Sequence, residues 1–344
     1  MPVREPEWWY GAESSWQAAL LAPVAAVVGR IASARLRDQN GYRSRLPVIC
    51  VGNFTAGGSG KTPLALLLAK LVKEEGRAPW FLSRGYGGSA SGAVLVDPTR
   101  HAAADVGDEP FLLAAHASAV VSRDRRKGAE LIEQNATGPA AIIMDDGLQN
   151  PTLAKDLTIA VVDCARRFGN GRVIPAGPLR APLAEQIRLA NLIVLNGEVR
   201  SAASDLRVKL SRLTSAPIIS ASVRPTANAD RFRSRKVIAY AGIANPGRFF
   251  SLLETLGAVV LSRHAFADHH PFSDHDARML LEAAQGANAE LITTEKDFAR
   301  LASASGAVTE LRAASSVLAI EAAIDGENLQ TLKALLHAAL SRQS

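Results

Sequence analysis

A glycine-rich loop between an apolar run and an apolar helix constrains this chain more than any other feature. Residues 46–51 form a short apolar run that ends at Gly52, and residues 64–72 continue an apolar helix after Pro63. Proline is tolerated in the first turn of a helix, and Gly76 ends the apolar stretch. This order predicts a strand, a loop and a helix, which is the local structure of a phosphate-binding loop.

The loop carries the residue types that bind nucleoside triphosphates. The nucleotide-binding candidates are Thr55, Ala56, Gly57, Gly58, Ser59, Gly60, Lys61 and Thr62. Thr55 stands in the place of the first glycine of the strict pattern, but Gly57 and Gly58 still let successive backbone N–H groups converge on phosphate oxygens. Lys61 would reach the β- and γ-phosphates, and the Thr62 hydroxyl would coordinate Mg²⁺. The sequence therefore predicts a nucleoside triphosphate site.

Continuous apolar runs recur along the chain and predict an α/β fold with parallel sheets. They cover residues 80–82, 119–121, 140–144, 158–162 and 192–195, and then 237–240, 258–261 and 291–293. Such runs, separated by helical stretches, are typical of strands covered on both faces. The 344 residues suffice for about two domains. We predict a P-loop domain at 41–215, a smaller α/β domain at 225–330, and linker strands at 216–224 and 316–324.

A pair of carboxylates follows one of these runs. Asp145 and Asp146 come directly after residues 140–144. A carboxylate at the carboxyl end of a buried parallel strand faces the crevice where ligands bind, so both aspartates and Thr62 are candidate Mg²⁺ ligands. Adjacent strand residues point to opposite faces, and we therefore expect only one aspartate to touch the metal directly. Asp163 also follows a strand, where a capping role and a functional role are both open.

ATP is the expected nucleotide. The guanine-reading motif of small G proteins separates its lysine and aspartate by one residue, whereas Lys296 and Asp297 are adjacent. The formal net charge of +6 favours an anionic partner. A nucleic acid is not expected, because aromatic and basic residues are not interleaved. Two cysteines, Cys50 and Cys164, are too few for a disulfide framework and favour a reducing, cytosolic setting.

The first 40 residues are predicted to form an amphipathic, membrane-associating segment. Aromatic residues at Trp8, Trp9 and Trp16 precede an apolar stretch at 18–28, and several arginines follow it. This order is typical of an interfacial helix on an anionic leaflet, although a helix that simply packs on the domain is the alternative. No apolar run reaches roughly 18 residues, so we do not expect a spanning helix.

Eight short stretches occur together in one order along nearly the whole chain. They are residues 51–63, 83–88, 107–110, 145–149, 168–171, 176–180, 268–270 and 293–297. The ordered set resembles the tetraacyldisaccharide 4'-kinase family of lipid A biosynthesis. This resemblance implies a P-loop NTPase-like α/β/α domain and a smaller α/β/α domain, joined by a short two-stranded linker with the active site between them.

The resemblance also implies an activity and a location. ATP would donate its γ-phosphate to the 4'-hydroxyl of a tetraacylated glucosamine disaccharide 1-phosphate, which gives the 1,4'-bisphosphate. The reaction would take place at the cytoplasmic face of the bacterial inner membrane, on an anionic surface, by a peripheral protein that is expected to be a monomer. A membrane-associated P-loop nucleotide switch or maturation factor is the alternative, and it would bind a partner without phosphorylating lipid.

The acceptor side of the site is assigned from the same resemblance. Asp108 is the family's candidate base and His269 its partner, so these two residues and Lys61 are the catalytic candidates. An imidazole can hold a carboxylate in place and tune its basicity. The substrate-binding candidates are Asn53, Arg84, Tyr86, Arg125 and Arg180. Solvated turn and helix-start positions are the alternative for the arginines and the tyrosine, and zinc is disfavoured because further ligands are missing at suitable spacing.

One position departs from the family pattern. Ala181 follows Arg180 where the family commonly has a glutamate. Glu185 could supply the missing carboxylate if a helix starts at Pro182. The reaction class does not depend on this position, because the phosphate loop and both aspartate motifs are present.

Overall fold

Strands and helices alternate along the chain in the computed structural model, which describes residues 5–11, 15–38, 40–197, 200–303 and 305–342. The strands are β1 (Val48–Gly52), β2 (Ala78–Ser83), β3 (Ala93–Leu95), β4 (Ala119–Ser122), β5 (Ala140–Asp145), β6 (Leu157–Asp163), β7 (Leu192–Asn196), β8 (Ile218–Pro225), β9 (Lys236–Ala241), β10 (Val259–Ala265), β11 (Glu290–Thr294), β12 (Ser315–Leu318) and β13 (Ile320–Ala323). The helices are α1 (Trp16–Arg37), α2 (Lys61–Glu74), α3 (Ala103–Val106), α4 (Asp108–Ala114), α5 (Arg125–Asn135), α6 (Leu183–Ile187), α7 (Arg200–Ser211), α8 (Pro246–Thr255), α9 (Asp274–Ala287), α10 (Glu295–Arg300), α11 (Ala307–Ala314) and α12 (Gly326–Leu340).

The strands of the described residues form two sheets. The first has nine strands in the order β13-β8-β7-β6-β1-β5-β2-β4-β3. Its inner strands from β8 to β4 are parallel, and only the edge strands β13 and β3 run antiparallel to their neighbours. The second sheet has four parallel strands in the order β10-β9-β11-β12. The predicted α/β fold with parallel sheets is confirmed.

The apolar runs form strands because both of their faces are covered. On one face of β5, Ile143 packs in a core that includes Leu64 and Leu68 of α2. On the opposite face, Ile142 packs with Ile132 of α5. Successive strand side chains point to opposite faces, so a strand with helices on both sides needs an uninterrupted apolar run.

Two antiparallel strands connect the sheets, and they differ in detail from the predicted linker. β8 pairs with β13, with Val223 opposite Ala322. The strand predicted at 316–324 is in fact two strands, because β12 belongs to the four-stranded sheet and β13 to the nine-stranded one. The run is apolar on both sides of the change, so composition alone did not reveal the break. Helix α12 then packs on the nine-stranded sheet through Leu332 and Leu336.

Helix α1 turns large apolar side chains outward. Those that are more than half exposed are Trp16, Leu20, Val24, Val27 and Ile31. Their spacing of three or four residues places them on one helix face. Of the four buried residues of α1, Ala18, Ala25 and Gly29 are small and the fourth is Leu36, near the end of the helix. The helix therefore lies on the rest of the protein through a face of mostly small residues and presents an apolar stripe to its surroundings.

The length and composition of α1 correct the expectation that the chain has no helix able to span a membrane. The helix has 22 residues, and an 18-residue window within it has a mean hydropathy of 1.5 with only 17% of the window buried. The apolar residues of α1 are interspersed with small and polar ones, so the helix contains no long uninterrupted apolar run. By length and composition, α1 is suited both to crossing a membrane and to lying on its surface.

Candidate active site

Strand β1 delivers the glycine-rich loop to the edge of the sheet beside Asp145. Val51 lies opposite Asp145 in the β1–β5 ladder, and α2 begins at Lys61. Gly57 and Gly60 have φ angles of 87° and 81°, in the region where glycine is favoured. The loop therefore turns sharply between strand and helix, with the amino terminus of a 14-residue helix at its end. This is the predicted geometry for binding phosphate.

Buried amide side chains support the loop from below. The Asn196 Nδ2 donates to the Ser59 carbonyl oxygen at 2.9 Å, and the Asn53 Nδ2 donates to the Gly57 carbonyl oxygen at 3.2 Å. Gln149 in turn donates to the backbone oxygen of Asn53 at 2.7 Å. Asn53 was a substrate-binding candidate, but it is fully buried and here it holds the loop. Asn196 was not recognised from the sequence.

The two adjacent aspartates have opposite electrostatic environments. Asp146 lies 3.5 Å from the Lys61 Nζ and 2.9 Å from the Arg180 Nη1. Burial opposes its ionisation, but these two cations outweigh burial and lower the pKa of Asp146 to about 2. Neither carboxylate oxygen of Asp145 has a hydrogen-bond partner among the described residues. Burial, reinforced by the nearby carboxylate of Glu109, raises the pKa of Asp145 to about 7.

Asp145 and Thr62 fit a divalent cation. A buried carboxylate without a partner is unfavourable, and a bound cation would provide the missing interaction. Thr62 is also buried, and its Oγ1 lies 3.5 Å from the Glu109 Oε1. Asp146 is already engaged by two cationic side chains, which favours Asp145 as the aspartate that touches the metal directly.

The predicted pair of Asp108 and His269 joins two separate parts of the fold. Asp108 is the first residue of α4, which packs on the nine-stranded sheet, and His269 follows β10 of the four-stranded sheet. The His269 Nδ1 lies 2.7 Å from the Asp108 Oδ2, and the Arg300 Nε donates to the same oxygen at 2.6 Å. Burial raises the pKa of Asp108, but His269 and Arg300 outweigh burial and hold it below its usual value. The hydrogen bond to Asp108 raises the pKa of His269.

A second ion pair lies beside the first. The Lys296 Nζ is 2.5 Å from the Glu109 Oε1. Lys296 lowers the pKa of Glu109, and the charge of Glu109 raises the pKa of Lys296 against the effect of burial. Helix α10 thus contacts α4 through two cationic side chains, Lys296 and Arg300. Glu109 and Arg300 were missed from the sequence; Glu109 follows Asp108 directly, but nothing local to Arg300 marked it.

The remaining substrate-binding candidates differ in their exposure to solvent. Tyr86 is 73% exposed, and its ring centroid lies 5.9 Å from that of His269. Arg84, in the same loop, is exposed as well. Arg125 is only 2% exposed, and its Nη2 lies 3.5 Å from the backbone oxygen of Asp145. The structure therefore places Tyr86 beside the histidine and Arg125 behind the aspartate.

The expectation that Glu185 compensates for Ala181 is wrong. The Glu185 Oε1 accepts a hydrogen bond from the Arg37 Nη2 at 2.7 Å, and this contact fastens α6 to α1. Ala181 is fully buried, and α6 begins only at Leu183. Four residues after Ala181, the chain has already turned from the phosphate loop toward α1.

Asp163 has a capping role. Its Oδ1 accepts hydrogen bonds from the backbone N–H groups of Ala165 and Arg166, at 2.8 Å and 3.1 Å. These contacts hold the turn that follows β6. Of the capping role and the functional role that were both open for Asp163, these hydrogen bonds support the capping role.

The segment that precedes α1 also reaches the phosphate loop. A Cβ atom at Gly57 would overlap the carboxylate of Glu5. Glu5 accepts from the Arg166 Nη1 at 2.7 Å and from the Tyr10 hydroxyl at 2.9 Å. The backbone oxygen of Trp9 accepts from the Asn170 N–H at 2.7 Å. The aromatic segment predicted to associate with a membrane is thus in contact with the nucleotide site.

Comparison with known proteins gives matches over most of the chain. The family model described as Tetraacyldisaccharide-1-P 4'-kinase matches residues 17–340. A tetraacyldisaccharide 4'-kinase of Methylorubrum populi is 45% identical over 340 residues, which are 99% of this chain and 100% of the relative. One of Afipia carboxidovorans is 46% identical over 299 residues, 87% of each chain. Among solved structures, LpxK from Aquifex aeolicus in complex with ATP matches with a TM-score of 0.73 and 27% identity, over 94% of this chain and 99% of that one.

Proposed function

The chain belongs to the tetraacyldisaccharide-1-P 4'-kinase family, and from this premise we propose which of its residues carry out the reaction. The protein is a phosphotransferase, the tetraacyldisaccharide 4'-kinase of lipid A biosynthesis. The observation that carries the residue assignment is the meeting of two sets of side chains at one edge of the nine-stranded sheet. One set is the phosphate loop with Asp145, and the other is the pair formed by Asp108 and His269.

The nucleotide side of the site binds the triphosphate of ATP. Backbone N–H groups of the glycine-rich loop and of the amino terminus of α2 would donate to the phosphate oxygens. Lys61 now pairs with Asp146 at 3.5 Å, and it would exchange this partner for the β- and γ-phosphate oxygens. Asp146 keeps Arg180 as its partner in that state, so the exchange leaves no buried carboxylate without a cation.

Mg²⁺ is the cation that we propose for Asp145 and the Thr62 hydroxyl. When bound, it neutralises charge on the β- and γ-phosphates. The pKa of Asp145 is raised to about 7 in the metal-free protein. Metal binding therefore competes with a proton on Asp145, and the affinity for Mg²⁺ is expected to rise as pH increases toward that value and to level off above it.

The family resemblance makes Asp108 the base and His269 its partner, and we propose the reverse assignment for this chain: His269 takes the proton of the sugar hydroxyl, and Asp108 orients His269. The Asp108 Oδ2 already accepts from Arg300 and faces the His269 Nδ1, and its lowered pKa makes it a weak base. The hydrogen bond with Asp108 leaves the His269 Nε2 as the proton-accepting atom. The Tyr86 ring, 5.9 Å from the imidazole, offers a surface on which a sugar can stack.

Because its substrate is a lipid, we expect the protein to carry out the reaction at a membrane. We propose that the exposed stripe of α1 inserts into the cytoplasmic leaflet of the inner membrane and that the protein acts as a peripheral monomer. ATP is a cytosolic nucleotide, which favours that face. The Arg37–Glu185 pair is one contact between the helix and the domain that holds the phosphate loop, so the exposed stripe and the nucleotide site belong to the same domain.

Charged substitutions in the stripe are expected to release the protein from lipid. Leu20→Glu combined with Val24→Glu should weaken binding to vesicles of phosphatidylethanolamine and phosphatidylglycerol at least about tenfold, because two apolar side chains are lost from the interface and two anionic ones are added. Vesicle sedimentation measures this. Val208→Glu on α7 is the matched control, since Val208 and Val24 are equally exposed at 52%. Undiminished binding of the double variant would assign the stripe to another contact.

The reaction itself is tested with purified protein, Mg-ATP and the tetraacylated disaccharide 1-phosphate in detergent micelles. A product heavier by one phosphoryl group, detected by mass spectrometry, is the expected result. No bisphosphorylated lipid under varied detergent conditions would contradict the proposal. Nucleotide-dependent capture of a partner protein without lipid phosphorylation would favour the nucleotide-switch alternative.

A further inference from the structure

The motif at residues 293–297 has no part in the proposed binding of ATP, Mg²⁺ or the sugar hydroxyl. Residues 293–297 form the end of β11 and the start of α10. Thr294 caps α10 by accepting from the Asp297 N–H, and Asp297 is fully buried and accepts from the Gly242 N–H at 3.0 Å. These two residues therefore stabilise the start of the helix and the turn beside it. Lys296 lies between them. Its role is not explained by the folding of its own lobe, the part of the chain that holds the four-stranded sheet.

The side chain of Lys296 on α10 reaches across to Glu109 of α4, a helix that packs on the nine-stranded sheet. Its Nζ contacts the Oε1 of Glu109, a residue 187 positions earlier in the chain. The Thr62 Oγ1 lies 3.5 Å from the same carboxylate oxygen. A single carboxylate thus separates the ammonium of the second lobe from the hydroxyl at the start of α2.

The charges around the loop leave this ammonium available to a phosphate. Asp146 is neutralised by Lys61 and Arg180 without help from Lys296. Glu109 pairs with Lys296, and because the two side chains remain 29% and 31% exposed, solvent screens the attraction and the pair contributes little net stability. A lysine has a flexible four-carbon stem, so its charged end can exchange one oxygen partner for another without movement of the backbone.

We propose that Lys296 is a catalytic residue, a cation that the four-stranded lobe supplies to the phosphoryl group in transfer. This inference rests on the proposed kinase reaction. The transferred group carries its negative charge on three equatorial oxygens, and a cation placed there stabilises the transition state more than the ground state. Lys296 donates hydrogen bonds from its ammonium and gains or loses no proton or covalent bond. Since it comes from the second lobe, transfer is fast only when both lobes are in contact.

The test compares turnover with binding of a transition-state mimic. Lys296→Met is expected to lower kcat by about 10²–10³-fold and to leave the affinity for Mg-ATP within about threefold. Calorimetry with Mg-ADP and aluminium fluoride, which mimics the phosphoryl group in transfer, should show a comparable loss of affinity. Lys236→Met is the control, because Lys236 is an exposed lysine at the start of β9 in the same lobe. It should behave like the unsubstituted protein.

A second pair of variants separates catalysis from a structural ion pair. Glu109→Gln removes the partner of Lys296, and Glu109→Gln with Lys296→Met removes both charges, so neither variant leaves the Glu109 carboxylate without its cation. If Lys296 contacts the phosphoryl group, the double variant binds the aluminium fluoride complex about 10²-fold more weakly than Glu109→Gln alone. Equal affinity of the two would overturn the inference, as would a kcat of Lys296→Met near that of the unsubstituted protein. Lack of lipid phosphorylation by the unsubstituted protein would instead contradict the proposed function.

Discussion

Lys61→Ala is expected to reduce lipid phosphorylation to the level of the reaction without enzyme. Lys61 is the cation that reaches the β- and γ-phosphates, and its removal leaves developing negative charge without its nearest compensation. The loss in kcat should be at least about 10³-fold, larger than for any other single substitution in the loop. The measurement is the initial rate of appearance of bisphosphorylated lipid at saturating Mg-ATP.

Lys70→Ala provides the matched control for Lys61→Ala. Lys70 lies on the exposed side of the same helix, α2. The control should keep normal turnover. Calorimetry should show that Lys61→Ala binds Mg-ATP more weakly, and a cooperative thermal unfolding transition should show that this variant is folded. Near-normal turnover of Lys61→Ala would remove the loop from the mechanism.

The phosphate side of the site could be predicted from the sequence because its parts are linked by local rules. The glycine-rich loop follows a strand directly, and Asp145 ends another strand that proved to be its neighbour, with Val51 opposite Asp145. The carboxyl ends of parallel strands lie at one edge of a sheet, so two such segments are expected to meet even when they are far apart in sequence. The same reasoning placed Thr62 at the start of α2.

The contacts between the two lobes could not be derived in that way. Arg300 and Asp108 are 192 positions apart, and Lys296 and Glu109 are 187 apart. No periodicity or turn signal relates side chains that meet only when two separately folded sheets come together. The meeting of His269 and Asp108 was anticipated only through a family resemblance. The expectation for Glu185 failed for a related reason, since its partner on α1 lies 148 positions away.

Substitution of the dyad is the second change with a large expected effect. His269→Ala should lower kcat by about 10²–10⁴-fold, because the sugar hydroxyl loses its proton acceptor. The affinity for Mg-ATP should stay the same, since His269 contacts Asp108 and neither the phosphate loop nor Thr62. His275→Ala, at an exposed position in the following helix, is the control and should retain full turnover. A raised KM for ATP with an unchanged kcat would place His269 in nucleotide binding instead.

The pH dependence of Asp108→Asn distinguishes an orienting carboxylate from a base. A histidine that accepts a proton must be neutral, so kcat rises as pH increases through its pKa. Asp108 raises the pKa of His269 above its ordinary value of about 6.5. In Asp108→Asn that influence is lost, and the rising limb should move to lower pH while the plateau falls. If Asp108 were itself the base, the rising limb of the pH profile would disappear in this variant.

The Mg²⁺ concentration provides a second test of the same rising limb. A limb due to His269 should stay at the same pH as Mg²⁺ is varied, whereas a limb due to Asp145 would shift because metal and proton compete for its carboxylate.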